Sequence, residues 1–247
     1  MLLEITDLSK NFGATEVLQH VNLQVADGEF VAILGPSGSG KSTLFQLIGG
    51  IITPTAGEIL LNGKAISGEK GHISYMPQQA SLFPWRTVLQ NVVLAQEIQS
   101  KANYTQAEDW LERVGLAQFK EAYPIELSGG MKQRVAFIRA LLSEQNLLCL
   151  DEPFSALDEF TRLDMQNWLL SVWEAHPRSV LFITHSIEEA IYLADHIIIL
   201  SKRPARIKEE IKVPFARPRH PAMLATAEFI ALKQHIFAQM ETRKTND

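Results

Sequence analysis

The chain has 247 residues, 46% hydrophobic and 21% charged, which is ample for a substantial core and ordinary for a globular protein. A formal net charge of −5 argues against a generic binder of nucleic acid or anionic membrane. The single cysteine, Cys149, excludes an internal disulfide and a cysteine-based metal site, and its apolar surroundings mark a buried, inert thiol.

From the N-terminus, residues 1–8 lack the basic and apolar regions of a signal peptide. No apolar run approaches the roughly 18 residues needed to span a bilayer, so an intracellular chain that does not itself cross a membrane is expected. Residues 5–25 read as edge-type β structure, with Val21, Leu23 and Val25 alternating with polar neighbours. Asp27 and Gly28 supply a turn into a buried strand over 29–34, and a helix is expected over 44–48. A short strand at 58–61 is bracketed by Gly57 and by Asn62 and Gly63, which is hairpin chemistry.

From about 87 to 123 the pattern turns helical and more polar, with Val88, Val92 and Ala95, then Trp110 and Val114, at helical spacing. Buried strands return at 147–150, 180–184 and 197–200, with a helix at 160–173, implying a parallel sheet covered on both faces. Ser186 and Glu189 have the spacing of a capping box opening a helix. The tail, 212–247, begins with Pro214, Pro218 and Pro221. It ends in a helix whose Phe229, Leu232, Ile236 and Met240 share one face, expected to dock on the protein's own surface.

The chemistry begins at Gly35, Pro36, Ser37, Gly38, Ser39, Gly40, Lys41, Ser42 and Thr43, which fill the pattern G-x-x-x-x-G-K-[ST] between a strand and a helix. The glycines let backbone N–H groups approach phosphate oxygens. Lys41 is placed to reach the β- and γ-phosphates and the Ser42 hydroxyl to ligate Mg²⁺. A nucleoside triphosphate is therefore the expected ligand. Taken alone, the loop suits a kinase, a GTPase, a helicase or a transport ATPase.

Two further segments narrow the choice. The apolar strand at 147–150 ends in Asp151 and Glu152. Asp151 is positioned to hold Mg²⁺ through its water shell, and Glu152 to polarise an attacking water. Leu127, Ser128, Gly129 and Gly130 combine a good N-cap with glycines that expose the first N–H groups of the following helix, a second anion site.

This second segment resembles the LSGGQ signature of the ATP-binding-cassette (ABC) ATPases, with Met131 in place of the consensus glutamine. The resemblance covers nearly the whole chain. It implies an α/β P-loop NTPase fold, with a RecA-like parallel sheet core, an N-terminal antiparallel β-subdomain and an inserted helical subdomain. The expected organisation is one ABC ATPase domain over 1–247, the insert at about 87–140 and a C-terminal extension at about 212–247. The resemblance also implies that Phe12 stacks on adenine, that Gln78 touches Mg²⁺ and the attacking water, that Asp158 lies in the D-loop at a dimer interface, and that His185 contacts the γ-phosphate. ATP and Mg²⁺ are the implied cofactors. ATP would be sandwiched between two copies, each offering Ser128, Gly129 and Gly130 to the other's nucleotide.

Finer features resemble the nitrate, sulfonate and taurine importer branch, with thiamine-precursor importers as close relatives. They are Leu82, Phe83, Pro84 and Trp85, then Pro153 and Phe154, Glu188 to Ala190 with Asp195, and Pro218 with Arg219. Gln79 departs from the acidic residue that branch would place there. The implied partners are a polytopic membrane permease and, indirectly, an extracytoplasmic solute-binding protein, with no nucleic acid. The implied location is the cytoplasmic face of the membrane, peripherally bound. The competing readings are a soluble ABC ATPase acting on nucleic acid or ribosomes, or the energiser of an exporter.

Overall fold

The computed structural model describes residues 1–99 and 101–241. Position 100 of the expected helical insert and positions 242–247 of the expected extension lie outside them. In chain order the elements are β1 (Leu3–Phe12), β2 (Thr15–Val25), β3 (Phe30–Leu34), α1 (Lys41–Ile48), β4 (Ala56–Leu61) and β5 (Lys64–Ala65). There follow β6 (Ser74–Met76), α2 (Val88–Val92), α3 (Leu94–Gln99), α4 (Tyr104–Arg113), α5 (Gly129–Leu141), β7 (Leu147–Asp151) and α6 (Glu159–Ala175). The chain closes with β8 (Ser179–Ile183), α7 (Ile187–Leu193), β9 (His196–Leu200), β10 (Ile207–Lys212) and α8 (Ala227–Met240). They form two compact units, one of Met1–His72 with the chain from His176 onward, the other of Ile73–Ala175.

The first unit contains an antiparallel sheet in the order β2-β1-β4-β5. Register shifts between Ile5 and Asn11 break the β1–β2 ladder into bulges, with Asp7 and His20 at positive φ. In the same unit β3 lies between β8 and β9 and is parallel to both. All five β3 residues are buried, as are all five of β8. That is why Phe30 to Leu34 and Val180 to Ile183 read as apolar runs. β10 escapes a reading of apolar periodicity, because Ile207, Lys208, Glu209, Glu210, Ile211 and Lys212 are mostly charged. It pairs antiparallel to β9 at the sheet edge, where lysines and glutamates discourage further strand addition.

The second unit pairs β6 with β7 in parallel and gathers α2 to α6 around them. Thr87 and Gln90 form a reciprocal capping box on α2. Ser128 caps α5 by accepting from the Met131 N–H. The capping box expected at Ser186 is only half made. Ser186 Oγ accepts from the Glu189 N–H, but the Glu189 carboxylate turns back to the Thr184 hydroxyl instead. The Thr184 hydroxyl stands between the two groups: it accepts from the Ser186 N–H at 3.0 Å and donates to the Glu189 carboxylate, so the N-cap amide is served through it.

Candidate functional site

In the first unit, strand register brings the phosphate loop and His185 to one sheet edge. Ile33 of β3 faces Ile183 of β8, and the Thr184 N–H bonds Ile33 O at 3.4 Å. Two residues further along each strand stand Gly35 and the exposed His185. Both therefore leave the carboxyl ends of adjacent parallel strands, the edge where open α/β sheets bind their ligands.

The loop itself is close-fitted. A Cβ on Gly35 would stand 3.1 Å from Leu200 Cβ, and one on Gly40 would stand 2.9 Å from Val17 Cγ1. Gly38 and Gly40 have φ of +73° and +110°, which L-residues rarely adopt. Gly40 opens α1 without a side-chain cap, so the first N–H groups of the helix face the loop as donors. Lys41 is buried and donates to Gly35 O at 2.8 Å and Pro36 O at 3.0 Å. The Ser39 hydroxyl is buried with no hydrogen-bond partner. Ser37 and Ser42 are exposed beside it, and Thr43 is half-buried. An orphaned hydroxyl, an ammonium and uncapped amides around a cradle that tolerates no Cβ fit a polyphosphate. Phe12, at the end of β1, is 49% exposed, and Lys10 Nζ lies 4.8 Å from its ring centroid.

The second unit repeats the same logic. Met76 of β6 faces Leu150 of β7, and two residues on, Gln78 Nε2 donates to Glu152 Oε2 at 2.9 Å. Asp151 is 2% exposed at the strand end. The Tyr75 hydroxyl donates to Asp151, and burial first, then the Asp151 charge, push the Tyr75 phenol well above its ordinary range. Glu152 has φ of +49°, a strained backbone for a side chain of this size. Its carbonyl is held by Ser155 Oγ at 2.9 Å.

Three side chains invisible to sequence reasoning organise this unit. Gln133, 3% exposed on α5, directs Nε2 toward Gln78 O and Glu152 O at 3.5 and 3.4 Å. Arg139, also on α5, donates to Ala80 O and Ser81 O, both at 3.0 Å. Asn91, fully buried on α2, accepts from the Phe83 N–H and faces the carbonyls of Phe83, Arg86 and Thr87 with its NH₂. It pins the turn that presents Trp85, 70% exposed and stacked on Phe83 with centroids 5.0 Å apart. Buried or half-buried polar residues interrupt the apolar periodicity that sequence reading follows, so their only signal was a polar residue inside an amphipathic helix.

The signature segment lies in this unit too. Gly129 has open space around its Cβ position, whereas a Cβ on Gly130 would stand 3.2 Å from Leu157 Cδ2 and 3.4 Å from Ala156 O. Asp158 caps α6 by accepting from the Thr161 N–H at 3.0 Å, and that bond holds its carboxyl below the usual range. Among the described residues no cluster of three His, Cys, Asp or Glu side chains forms a metal cage, and no helix is long and apolar enough to cross a membrane.

An α/β core carrying a G-x-x-x-x-G-K-[ST] loop, together with a strained acid after an apolar strand that ends in Asp151, defines the class as a P-loop ATPase. The model of the ABC transporter family matches residues 18–155, and the chain belongs to that family as an ATP-binding, ATP-hydrolysing member. It is 39% identical to the aliphatic sulfonates import ATP-binding protein SsuB of Bacillus cereus, over 98% of this chain and 96% of that protein. It is 44% identical to the nitrate import ATP-binding protein NrtD of Synechocystis, over 86% and 83% respectively. The dimeric post-hydrolysis structure of an ATP-binding cassette bound to ADP and Pi superposes with a TM-score of 0.78. That cassette is 30% identical and covers 87% of this chain and all of its own.

Proposed function

We propose that this chain is the ATP-hydrolysing subunit of a membrane ABC importer for a small organic or inorganic anion such as a sulfonate or nitrate, or for a thiamine precursor. The observation that carries this reading is the near full-length identity to sulfonate and nitrate import ATP-binding proteins. The chain would work as one ABC ATPase domain, with the helical insert at about 87–140 and the extension at about 212–247. Two copies would sandwich ATP at the cytoplasmic face of the membrane. A polytopic permease would dock on the exposed Trp85–Phe83 stack, and an extracytoplasmic solute-binding protein would act through that permease.

Within this reading Phe12 stacks on the adenine. The loop from Gly35 to Thr43 binds the phosphates, with Lys41 exchanging its bonds to Gly35 O and Pro36 O for phosphate oxygens. Ser42, Gln78 and Asp151 each offer an oxygen donor, the ligand type that suits Mg²⁺ as a hard cation. When bound, Mg²⁺ would neutralise charge developing on the phosphoryl oxygens. Glu152 takes the proton of the attacking water, and Gln78 orients that carboxylate through the bond already present. His185, with Ser128, Gly129 and Gly130 from the second copy, stabilises charge on the transferred group, and Asp158 stands in the D-loop where the copies meet.

The experiment is to tag the chain, extract native membranes in mild detergent and identify what co-purifies. A stoichiometric polytopic membrane protein is expected, and its binding protein is then screened with sulfonates, nitrate and pyrimidines. Recovery only in the soluble fraction, with ribosomes or with DNA, would overturn the import assignment and favour the soluble ATPase. A polytopic partner without any binding protein would favour an exporter.

A further inference from the structure

Four consecutive carbonyls close α7, and the C-terminal extension covers every one of them. Arg219 Nη1 shares its two hydrogens among Ile191 O at 3.1 Å, Tyr192 O at 3.2 Å and Ala194 O at 2.6 Å. Arg217 Nη2 donates to Leu193 O at 2.7 Å. The preceding carbonyl, Ala190 O, is already served by the Ala194 N–H at 3.0 Å. A helix leaves its final carbonyls without internal partners and carries partial negative charge at that end, so a buried cation completes it. Here both cations come from beyond β10, at least 24 residues downstream of the carbonyls they cap.

The guanidinium groups are held from behind. The Arg219 side chain is 1% exposed, and its Nε and Nη2 donate to Phe215 O at 3.3 and 3.2 Å. Arg217 Nε donates to Asp195 Oδ1 at 2.8 Å. The other oxygen of Asp195 accepts from the Phe30 N–H at 3.1 Å, and the Asp195 N–H donates to Phe30 O at 2.7 Å. Phe30 begins β3, which ends at the phosphate loop. The extension then continues into α8, where Phe229 and Ile236 are buried and Lys233 pairs with Glu188 of α7 at 2.5 Å.

The opposite end of α7 is the functional one. Its N-cap is Ser186, directly after His185, and its seven residues make a rigid strut roughly 10 Å long. A strut that short transmits displacement of one end to the other. We propose that Arg219, assisted by Arg217, is a positioning residue for His185. By capping α7, the extension sets where His185 leaves the carboxyl end of β8, next to the end of β3. The proposal rests on the reading of His185 as the γ-phosphate contact.

The test compares the affinity of the full chain for a non-hydrolysable ATP analogue and for ADP, measured by calorimetry. Only the first ligand carries the γ-phosphate. His185→Ala and Arg219→Gln are both expected to lower the ratio of the two affinities by about tenfold, the equivalent of one hydrogen bond to a charged group. Hydrogen exchange in Arg219→Gln should rise over 185–194 and stay unchanged over 30–34, and Arg219→Lys should recover part of the ratio. If Arg219→Gln does not fold, Arg217→Gln, at a side chain 18% exposed, is read in the same way. A ratio lost in His185→Ala but kept in the folded arginine variant would overturn this proposal alone. A ratio kept in His185→Ala would overturn the assignment of His185 and the proposal with it.

Discussion

Asn91 is the most sharply testable structural residue outside the nucleotide-binding segments. Its side chain is fully buried; Oδ1 accepts from the Phe83 N–H at 2.8 Å, and Nδ2 faces Phe83 O, Arg86 O and Thr87 O at 3.0 to 3.1 Å. Two amide hydrogens shared among three carbonyls make two full bonds, so Asn91→Ala removes three bonds in all. At about 1 kcal/mol each, with the Phe83 N–H left to find another acceptor, the loss is roughly 3 kcal/mol. For a chain of this size that lowers Tm by roughly 6–12 °C. Asn91→Asp is the stronger case, because it places a carboxylate among three carbonyl dipoles. Burial and those dipoles raise its folded pKa above the unfolded value of about 3.9, so the folded state holds its proton longer and stability falls as pH rises. In differential scanning calorimetry, Asn91→Asp should therefore melt below Asn91→Ala at pH 8, with the gap closing on acidification. An Asn91→Ala Tm within about 2 °C of the parent, or coincident melting of the two variants at pH 8, would refute the reasoning.

Three other expectations follow from single residues. Glu152→Gln should keep ATP binding while hydrolysis falls by about 10²–10⁴-fold in a phosphate-release assay, and undiminished turnover would remove Glu152 from its assigned role. Gly40→Ala sets a side chain at φ +110° and 2.9 Å from Val17 Cγ1, so it should cost about 1–3 kcal/mol in urea unfolding and weaken ATP binding by calorimetry. Burial, then the charge of Asp151, push the Cys149 thiol above its ordinary range, so a thiol-specific disulfide reagent should label it at pH 8 only after denaturant is added. Because the unfolded thiol ionises first, its contribution to stability should decline above about pH 8.5.

Much of the candidate site was legible along the chain, because its residues lie close in sequence. Gly35 to Thr43, Asp151 with Glu152, and Ser128 to Gly130 each form a contiguous segment whose backbone conformation is local, and a linear reading detects such segments directly. The buried strands β3, β7 and β8 were legible for the same reason: strands covered on both faces carry runs of four or five apolar residues.

Tertiary structure decided what depends on register and on distant partners. That Gln78 meets Glu152, and that His185 and Gly35 leave the carboxyl ends of adjacent strands, follows from parallel pairings of Met76 with Leu150 and of Ile33 with Ile183. A one-residue slip in either pairing would turn those side chains to the other face, and nothing in the local sequence sets that register. The edge strand β10 was hidden because its stability comes from pairing with β9 rather than from burial of its own side chains. Glu189 does not reach the Ser186 N–H directly because the buried Thr184 hydroxyl, placed by the end of β8, accepts from that N–H and donates to the carboxylate. Along the chain Arg219 reads only as part of a Pro-Arg pair resembling the importer branch; its capping role depends on the fold, which alone brings the carbonyls of Ile191 to Ala194 to the arginines of the extension. Local conformation is written in neighbouring residues, whereas the partners of a buried polar group are chosen by the fold that removes it from water.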